Sequence, residues 1–217
     1  MRSALIAALL TVCATTAAAQ GSGNKGQVEW SFGIPYYLAT SAGSANGSDI
    51  NFSARVGFEF GVDYYIIDRL AIGFDLAWVR PNYNALLIPD DGGSPIEIRH
   101  QANIWTGQFN ATYNFTDKTV TPYIEAGLGW TNFDSNVADG PPSTGCWWDP
   151  WWGYMCSSFY STYSSSNFSY GAGLGLRWNV NYDMSVKLGY RIVEIDSGNA
   201  SERPQMDSVQ LELAYHF

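Results

Sequence analysis

Eight segments of the chain alternate between large apolar side chains and small or polar ones. They cover residues 28–34, 52–63, 70–78, 105–115, 124–131, 170–178, 184–192 and 208–217. A period of two is typical of a β-strand whose two faces meet different surroundings, and roughly ten residues is the length that a tilted strand needs to cross a bilayer. The pattern therefore restricts the chain to an all-β fold.

The connections between these segments alternate in length. Short turns follow the second, fourth and sixth segments, around residues 67–69, 116–119 and 181–183. Long connections follow the first, third, fifth and seventh, at residues 39–50, 81–99, 134–166 and 197–206. Short turns at one rim and long loops at the other are typical of outer-membrane barrels. We predict an eight-stranded antiparallel transmembrane β-barrel with short periplasmic turns and long extracellular loops.

A soluble eight-stranded barrel would also show alternation, but its apolar face would point inward. Here one face carries nearly all the large apolar groups, in a chain that is 16% aromatic and 14% charged. Those rings would overfill a lumen of eight strands, which is only wide enough for ordinary side chains. Many of the Trp and Tyr residues also lie near strand ends, where the aromatic girdles of a membrane barrel are expected.

The N-terminus has the pattern of a secretory signal peptide. Arg2 precedes the apolar run 4–12, and Ala17-Ala18-Ala19 forms an A-x-A cleavage site. We expect residues 1–19 to be removed and residues 20–217 to form the barrel domain. Removal of Arg2 leaves 10 Lys and Arg against 20 Asp and Glu. This acidity argues against nucleic acid as a partner.

Charged residues on the polar face are predicted to meet inside the barrel. By strand parity they comprise six acids and five bases: Glu29, Glu59, Asp63, Asp75, Glu125 and Glu212 with Arg55, Arg69, Arg177, Lys187 and Arg191. Unpaired charges in so narrow a space would be costly, so the near balance favours a plug of salt bridges. A narrow, gated ion path is the alternative.

The third long connection contains two cysteines and a cluster of aromatic residues. Cys146 and Cys156 are the cysteines that remain after signal removal, and an even number in an exported protein predicts a disulfide. Between them lie Trp147, Trp148, Trp151 and Trp152. The segment is either a stapled hairpin that packs its own rings or rests them on the outer leaflet, or a binding platform for a sugar, a lipid or a host protein.

The C-terminus carries a more specific pattern. Val209, Leu211, Leu213, Tyr215 and terminal Phe217 resemble the signal by which the barrel-assembly machinery recognises its clients. With GAGLGLRW at 171–178, the chain resembles the small outer-membrane β-barrel superfamily, which includes the OmpA transmembrane domain and opacity-type surface proteins. The resemblance implies the cell outer membrane as location, with outer-membrane lipid and lipopolysaccharide around the barrel, and a surface antigen or porin-like role.

No catalytic, cofactor or metal motif emerges from the sequence. Lipid A deacylases of the small-barrel type resemble one another in a His-x-Ser-Asn signature, and neither His100 nor His216 is followed by that serine. We therefore expect no enzyme, no cofactor and no metal. Three functions stay open: a structural outer-membrane protein that displays surface loops for envelope integrity or adhesion to an unidentified extracellular ligand, a small-solute channel, and a lipid-modifying enzyme.

Overall fold

The computed structural model describes residues 23–43, 48–88, 94–196 and 203–216. Within them the chain forms β1 (Val28–Tyr37), β2 (Thr40–Gly43), β3 (Asp49–Phe52), β4 (Arg55–Val56), β5 (Phe58–Ile67), β6 (Leu70–Val79), β7 (Asn82–Leu87), β8 (Ile96–Gln101), β9 (Asn103–Asn114), β10 (Val120–Ala138), β11 (Ser143–Asp149), β12 (Gly153–Phe159), β13 (Thr162–Asn179), β14 (Met184–Ile195) and β15 (Gln205–His216). The predicted signal peptide and Phe217 lie outside the described residues. No helix in the described part of the chain is long and apolar enough to span a membrane.

Eight of these strands close into an antiparallel barrel. Their order around it is β1, β5, β6, β9, β10, β13, β14 and β15, and β15 pairs with β1 to complete the circle. At this seam Trp30 lies opposite Tyr215 and Phe32 lies opposite Leu213. Closure gives each of these eight strands two neighbours, so the barrel has no free sheet edge for lipid to meet. The predicted eight-stranded all-β barrel is confirmed.

The alternation along the strands separates two environments. Outward side chains are large and exposed, and neighbouring strands stack their rings: Trp78 lies between Phe58 and Trp105, with ring centroids 6.2 and 5.7 Å apart. Inward side chains are buried, including Glu29 at 0% and Arg177 at 1% exposure. The outer face is thus the apolar one, as expected for a barrel that lipid surrounds.

The two rims differ. The turn end is the rim formed by the connections β5–β6, β9–β10 and β13–β14, and the loop end is the opposite rim. At the turn end Arg69 joins two of the turns, because its Nε and Nη2 donate to Asp117 Oδ1 and Oδ2 at 3.0 and 2.5 Å. The hydrogen bond from Arg69 holds the pKa of the Asp117 carboxyl below its usual range.

The loop end is more ordered than the sequence predicted. Strands β2, β3, β7 and β8 form a four-stranded sheet, and β11 pairs with β12 as a separate hairpin. The predicted second strand was wrong at its start, because Phe52 belongs to β3 and the barrel strand β5 begins at Phe58. Phe52 packs against Tyr83 and Phe133, with ring centroids 5.9 Å away in both cases. This apolar contact holds the segment over the barrel mouth.

Candidate functional site

The lumen is crossed by ion pairs that converge on Arg191 of β14. Its Nη1 lies 2.7 Å from Glu59 Oε1, its Nη2 lies 3.0 Å from Asp75 Oδ2, and its Nε lies 2.6 Å from Glu125 Oε1. β14 and β6 stand four strands apart in either direction, so the pair with Asp75 spans the full width of the barrel. One guanidinium therefore ties β14 to β5, β6 and β10.

A second cluster lies nearer the turn end, around Glu29 of β1. Its Oε2 accepts from Arg177 Nη2 at 2.5 Å, and its Oε1 lies 2.6 Å from Lys187 Nζ. Lys187 also lies 3.7 Å from both Asp63 and Glu212. All five side chains are buried. Buried charges of this kind persist only when each has a partner, and here every charge has one.

Glycines make room for these carboxyl groups. A Cβ at Gly61 would overlap Asp75, and a Cβ at Gly73 would overlap Asp63. The glycines and the acids lie on adjacent strands and face inward together. Small residues are therefore needed on the polar face because the carboxyl groups of the ion pairs occupy the space beside them.

The structure brings nine of the eleven predicted lumen charges together, and the other two assignments were wrong. Arg55 shares the inward parity but lies exposed at the loop end. Arg69 lies in the β5–β6 turn, where it pairs with Asp117 of the β9–β10 turn. Parity gives the side of the sheet on which a residue lies, but not its depth along the strand. Among the described residues, the lumen consequently holds six acids against three Lys and Arg, instead of the near balance that the sequence suggested.

Tyr65 and His216 also lie in the lumen, although the predicted set of lumen charges did not include them. The Tyr65 hydroxyl donates to Glu29 Oε2 at 3.1 Å and contacts Arg177. His216 places Nε2 2.9 Å from Glu29 Oε2, and its ring stacks on Tyr65 at 5.7 Å. Both residues have the inward parity of their strands, so the same period-two pattern would have found them. They complete the cluster at the turn end.

The disulfide predicted in the third connection is present. Cys146 and Cys156 face each other in the β11–β12 register and are bonded, with Cα atoms 4.1 Å apart. At the tip, Asp149 Oδ1 accepts from the backbone N–H groups of Trp151 and Trp152 at 2.8 and 3.0 Å. Gly153 follows with φ +79°, a conformation that favours glycine. The hairpin is therefore held by a disulfide at its middle and by a side-chain cap at its turn.

The hairpin carries its aromatic residues on both faces and at the tip. Trp148 lies opposite Tyr154 on the face that also bears the disulfide. Trp147 lies on the other face, 5.9 Å from the ring of Phe159. Trp151 and Trp152 form the tip and are 87% and 79% exposed. Only part of the aromatic surface is packed within the hairpin itself.

The histidines and possible metal ligands are the remaining candidates for catalysis or metal binding in the described structure. His100 lies exposed on β8 at the loop end, whereas His216 lies in the lumen at the turn end, so the two histidines do not share a site. Among residues 23–43, 48–88, 94–196 and 203–216, no three His, Cys, Asp or Glu side chains are grouped as metal ligands.

The family model of the outer membrane protein beta-barrel domain matches residues 5–217. The chain belongs to this family. No curated protein matches it in sequence. Family membership supports an outer-membrane location, and it agrees with the closed barrel and the apolar outer face.

Solved outer-membrane barrels share the fold at low sequence identity. Neisserial surface protein A is 13% identical, with a TM-score of 0.54, over 91% of this chain and 100% of that one. OprG from Pseudomonas aeruginosa is 11% identical, with a TM-score of 0.55, over 92% and 99% of the two chains. Ail of Yersinia pestis, solved with the heparin analogue sucrose octasulfate, is 15% identical, with a TM-score of 0.51, over 89% and 99%. At these identities the likeness concerns the fold.

Proposed function

We propose that this protein is an outer-membrane surface protein whose β11–β12 hairpin binds an external partner, while the barrel serves as a filled anchor among outer-membrane lipid and lipopolysaccharide. The observation that carries the proposal is the stapled hairpin, which holds Trp151 and Trp152 almost fully exposed beyond the loop end. Exposed apolar patches of this kind mark interaction sites, and Trp and Tyr are the residues that most often dominate binding energy.

The staple supports binding because it lowers the entropy that a loop loses when it is ordered. The disulfide and the Asp149 cap restrict the hairpin before any partner arrives. A pre-organised surface loses less conformational freedom on association, so more of its contact energy contributes to affinity. The tip then presents rigid rings with indole N–H donors, which suit a partner with apolar faces and polar edges.

The charge of the segment narrows the class of partner. Residues 139–161 include Asp139 and Asp149 but no Lys or Arg. A strongly anionic ligand would meet repulsion here without a cation to bind it. The hairpin therefore favours a neutral surface, such as uncharged sugar rings, a zwitterionic lipid or an apolar patch of a host protein.

Whole cells that display the protein provide the test. Trp151→Ser with Trp152→Ser should lower binding to at least one of three probes: immobilised uncharged polysaccharide, phosphatidylcholine vesicles or cultured epithelial cells. Tyr182→Ser is the matched control, because Tyr182 is an exposed aromatic residue at the turn end. If the double variant binds all three probes as well as the wild type does, the hairpin is not the binding surface.

A structural role in the envelope is the second candidate, and the ion pairs across the lumen favour it because they cross-link the barrel. A strain without the protein would then become sensitive to detergent, and the Trp151/Trp152 variant would restore resistance fully. If the variant restores resistance but not adhesion, the two roles reside in separate parts of the protein. Mass spectra of lipid A that change when the protein is expressed would instead indicate the lipid-modifying activity.

A further inference from the structure

The inward face of the barrel changes from charged to apolar at the loop end. Below this level it carries the ion pairs around Arg191. Above it, the inward residues at or near the loop-end limits of six strands are apolar or aromatic: Tyr37, Val79, Ile104, Phe133, Ile195 and Met206. The change occurs at one depth, because Val79 pairs with Ile104 and Ile104 pairs with Phe133 across three adjacent strands.

The four-stranded sheet covers this apolar ring. Phe52 and Tyr83 pair directly across β3 and β7, and both rings lie against Phe133, at 5.9 and 6.5 Å. The Tyr83 hydroxyl donates to the Ser135 carbonyl at 3.0 Å, which ties the sheet to β10. Ala85 and Ile98 extend the same packed cluster. A small second core thus stands above the lumen.

The described residues of this second core leave a space between them. A cavity of about 220 Å³ lies between the sheet and the strand ends, and its described lining contains no Asp, Glu, Lys, Arg or His. Tyr37 and Met206 form its floor, since both also border the much smaller space beside Arg191. Leu38 and Ser165 line it and are exposed, so the cavity reaches the surface at the loop end. It is a blind pocket closed by the ion pairs below.

We propose that this cavity binds an uncharged hydrocarbon group. Native interiors contain few voids larger than a water molecule, and empty apolar space destabilises a protein in proportion to its volume. An apolar cavity of 150 Å³ engineered in another protein stays dry and binds benzene, so a cavity of 220 Å³ has room for about nine carbon atoms. The lining is mostly apolar, and its polar members, which are Thr40, Ser53, Ser165, Asn167 and Gln205, carry no charge. A charged group would therefore lose its hydration without gaining a counter-charge, which disfavours ions and charged head groups.

Two kinds of molecule could supply the uncharged hydrocarbon group. One is a free apolar molecule that enters from outside the cell, and the other is the end of a lipid acyl chain that bends up to the loop end. The proposal does not depend on the hairpin, because the hairpin forms a separate sheet and none of its residues lines the cavity.

The methionines provide a direct measurement. After signal removal the chain keeps Met155, Met184 and Met206. Met206 lines the cavity, Met155 lies on the hairpin and Met184 lies at the turn end. The protein, labelled with [13C]methyl methionine and placed in lipid nanodiscs, is titrated with n-propylbenzene. We expect a saturable shift of the Met206 methyl signal, with Met155 and Met184 unchanged.

A matched pair of variants tests the location. Ile104→Phe adds volume inside the cavity and should weaken n-propylbenzene binding about tenfold or more, which corresponds to about 1.4 kcal/mol. Ile124→Phe makes the same change on the lipid face of the barrel, where Ile124 is exposed, and should leave binding unchanged. Ile195→Phe replaces Ile104→Phe if the latter does not fold. A Met206 signal that does not move in the wild type, or that moves equally in the filled variant, overturns the proposal.

A second experiment distinguishes a lipid acyl chain from a free apolar molecule as the ligand. Nanodiscs are prepared with a phospholipid that carries a nitroxide at the end of its acyl chain. Broadening of Met206 beyond that of Met184 shows that an acyl chain occupies the cavity, and n-propylbenzene should then compete with it. A shift with n-propylbenzene and no such broadening indicates a free apolar molecule. If neither probe affects Met206 selectively, the cavity is not a binding site.

Discussion

Arg191 shows how much of the lumen depends on a single side chain. Its guanidinium contacts carboxylates on three strands, and it is buried with them. The cost of burying four charges is offset only while all of them remain partnered. Loss of the Arg191 side chain would leave three buried carboxylates without their shared partner, and this would lower the stability of the barrel.

We predict that Arg191→Leu destabilises the barrel by about 3–5 kcal/mol, since three carboxylates lose their shared partner. Arg55→Leu should change stability by less than about 0.5 kcal/mol, because Arg55 is exposed at the loop end. Outward Leu174→Ala should cost less than the Arg191 change, because lipid fills the space beside an exposed side chain. Urea unfolding of the protein in lipid vesicles measures all three. Equal stability of the two arginine variants would contradict the ion-pair arrangement.

The bridge between Arg69 and Asp117 should behave quite differently. It lies at the surface, where solvent screens the two charges, so the pair contributes little to stability. Because the folded-state pKa of Asp117 is lowered, its contribution is present above about pH 4 and is lost as the pH falls through the folded value. Asp117→Asn should therefore unfold slightly earlier than the wild type at pH 7. The difference should vanish at low pH, and a difference that persists there would contradict the charge-based account.

At the scale of elements, the β11–β12 hairpin is independent of the barrel ladder. We predict that Cys146→Ser with Cys156→Ser leaves barrel folding and membrane insertion nearly unchanged. A disulfide that closes so short a loop restricts its unfolded states by roughly 2–3 kcal/mol, and this acts on the hairpin alone. Hydrogen exchange should become faster within residues 143–159 and stay unchanged in β1 and β15. Loss of the folded barrel in this variant would show that the hairpin supports it.

The two rims give a prediction of topology. The four-stranded sheet and the hairpin should face the cell exterior, and the turns near Asp68 and Asp117 should face the periplasm, because long connections of membrane barrels are extracellular. Protease added to intact cells should cleave within residues 134–166 before it cleaves at either turn. Cleavage at Asp68 or Asp117 with the long connections intact would reverse the orientation.

The sequence predicts some elements well and others poorly, for physical reasons. Glu59 and Arg191 were assigned to the lumen because a strand has a strict period of two, and the assignment needs no knowledge of distant partners. The four-stranded sheet was missed because its strands are short and because Phe52 pairs with Tyr83 only after the chain has formed two barrel strands, β5 and β6. Arg55 was misplaced because depth along a strand depends on where the strand starts. The apolar cavity could not be predicted for both of these reasons. One of its walls is the four-stranded sheet, and its position depends on the depth of residues along the barrel strands.

At the scale of the whole molecule, the filled lumen determines what the barrel can conduct. The Arg191 pairs span the lumen above the Glu29 cluster, so an ion would have to break buried pairs at two levels. We predict that the purified protein is nearly silent in planar bilayers. Arg191→Ala, if it folds, is the informative comparison, because it opens the upper level alone. Steady single-channel steps from the wild type would favour the channel function instead.

The lumen charges are also segregated along the chain. Glu29, Glu59, Asp63, Asp75 and Glu125 precede all three of their cationic partners, which arrive with Arg177, Lys187 and Arg191. The inward face of the first five barrel strands is therefore of one sign, and repulsion opposes its early collapse into a smaller ring. The last three strands bring the cations and the seam together. Barrel closure and charge neutralisation thus coincide, so we expect partly closed intermediates to remain hydrated and unstable until β15 meets β1.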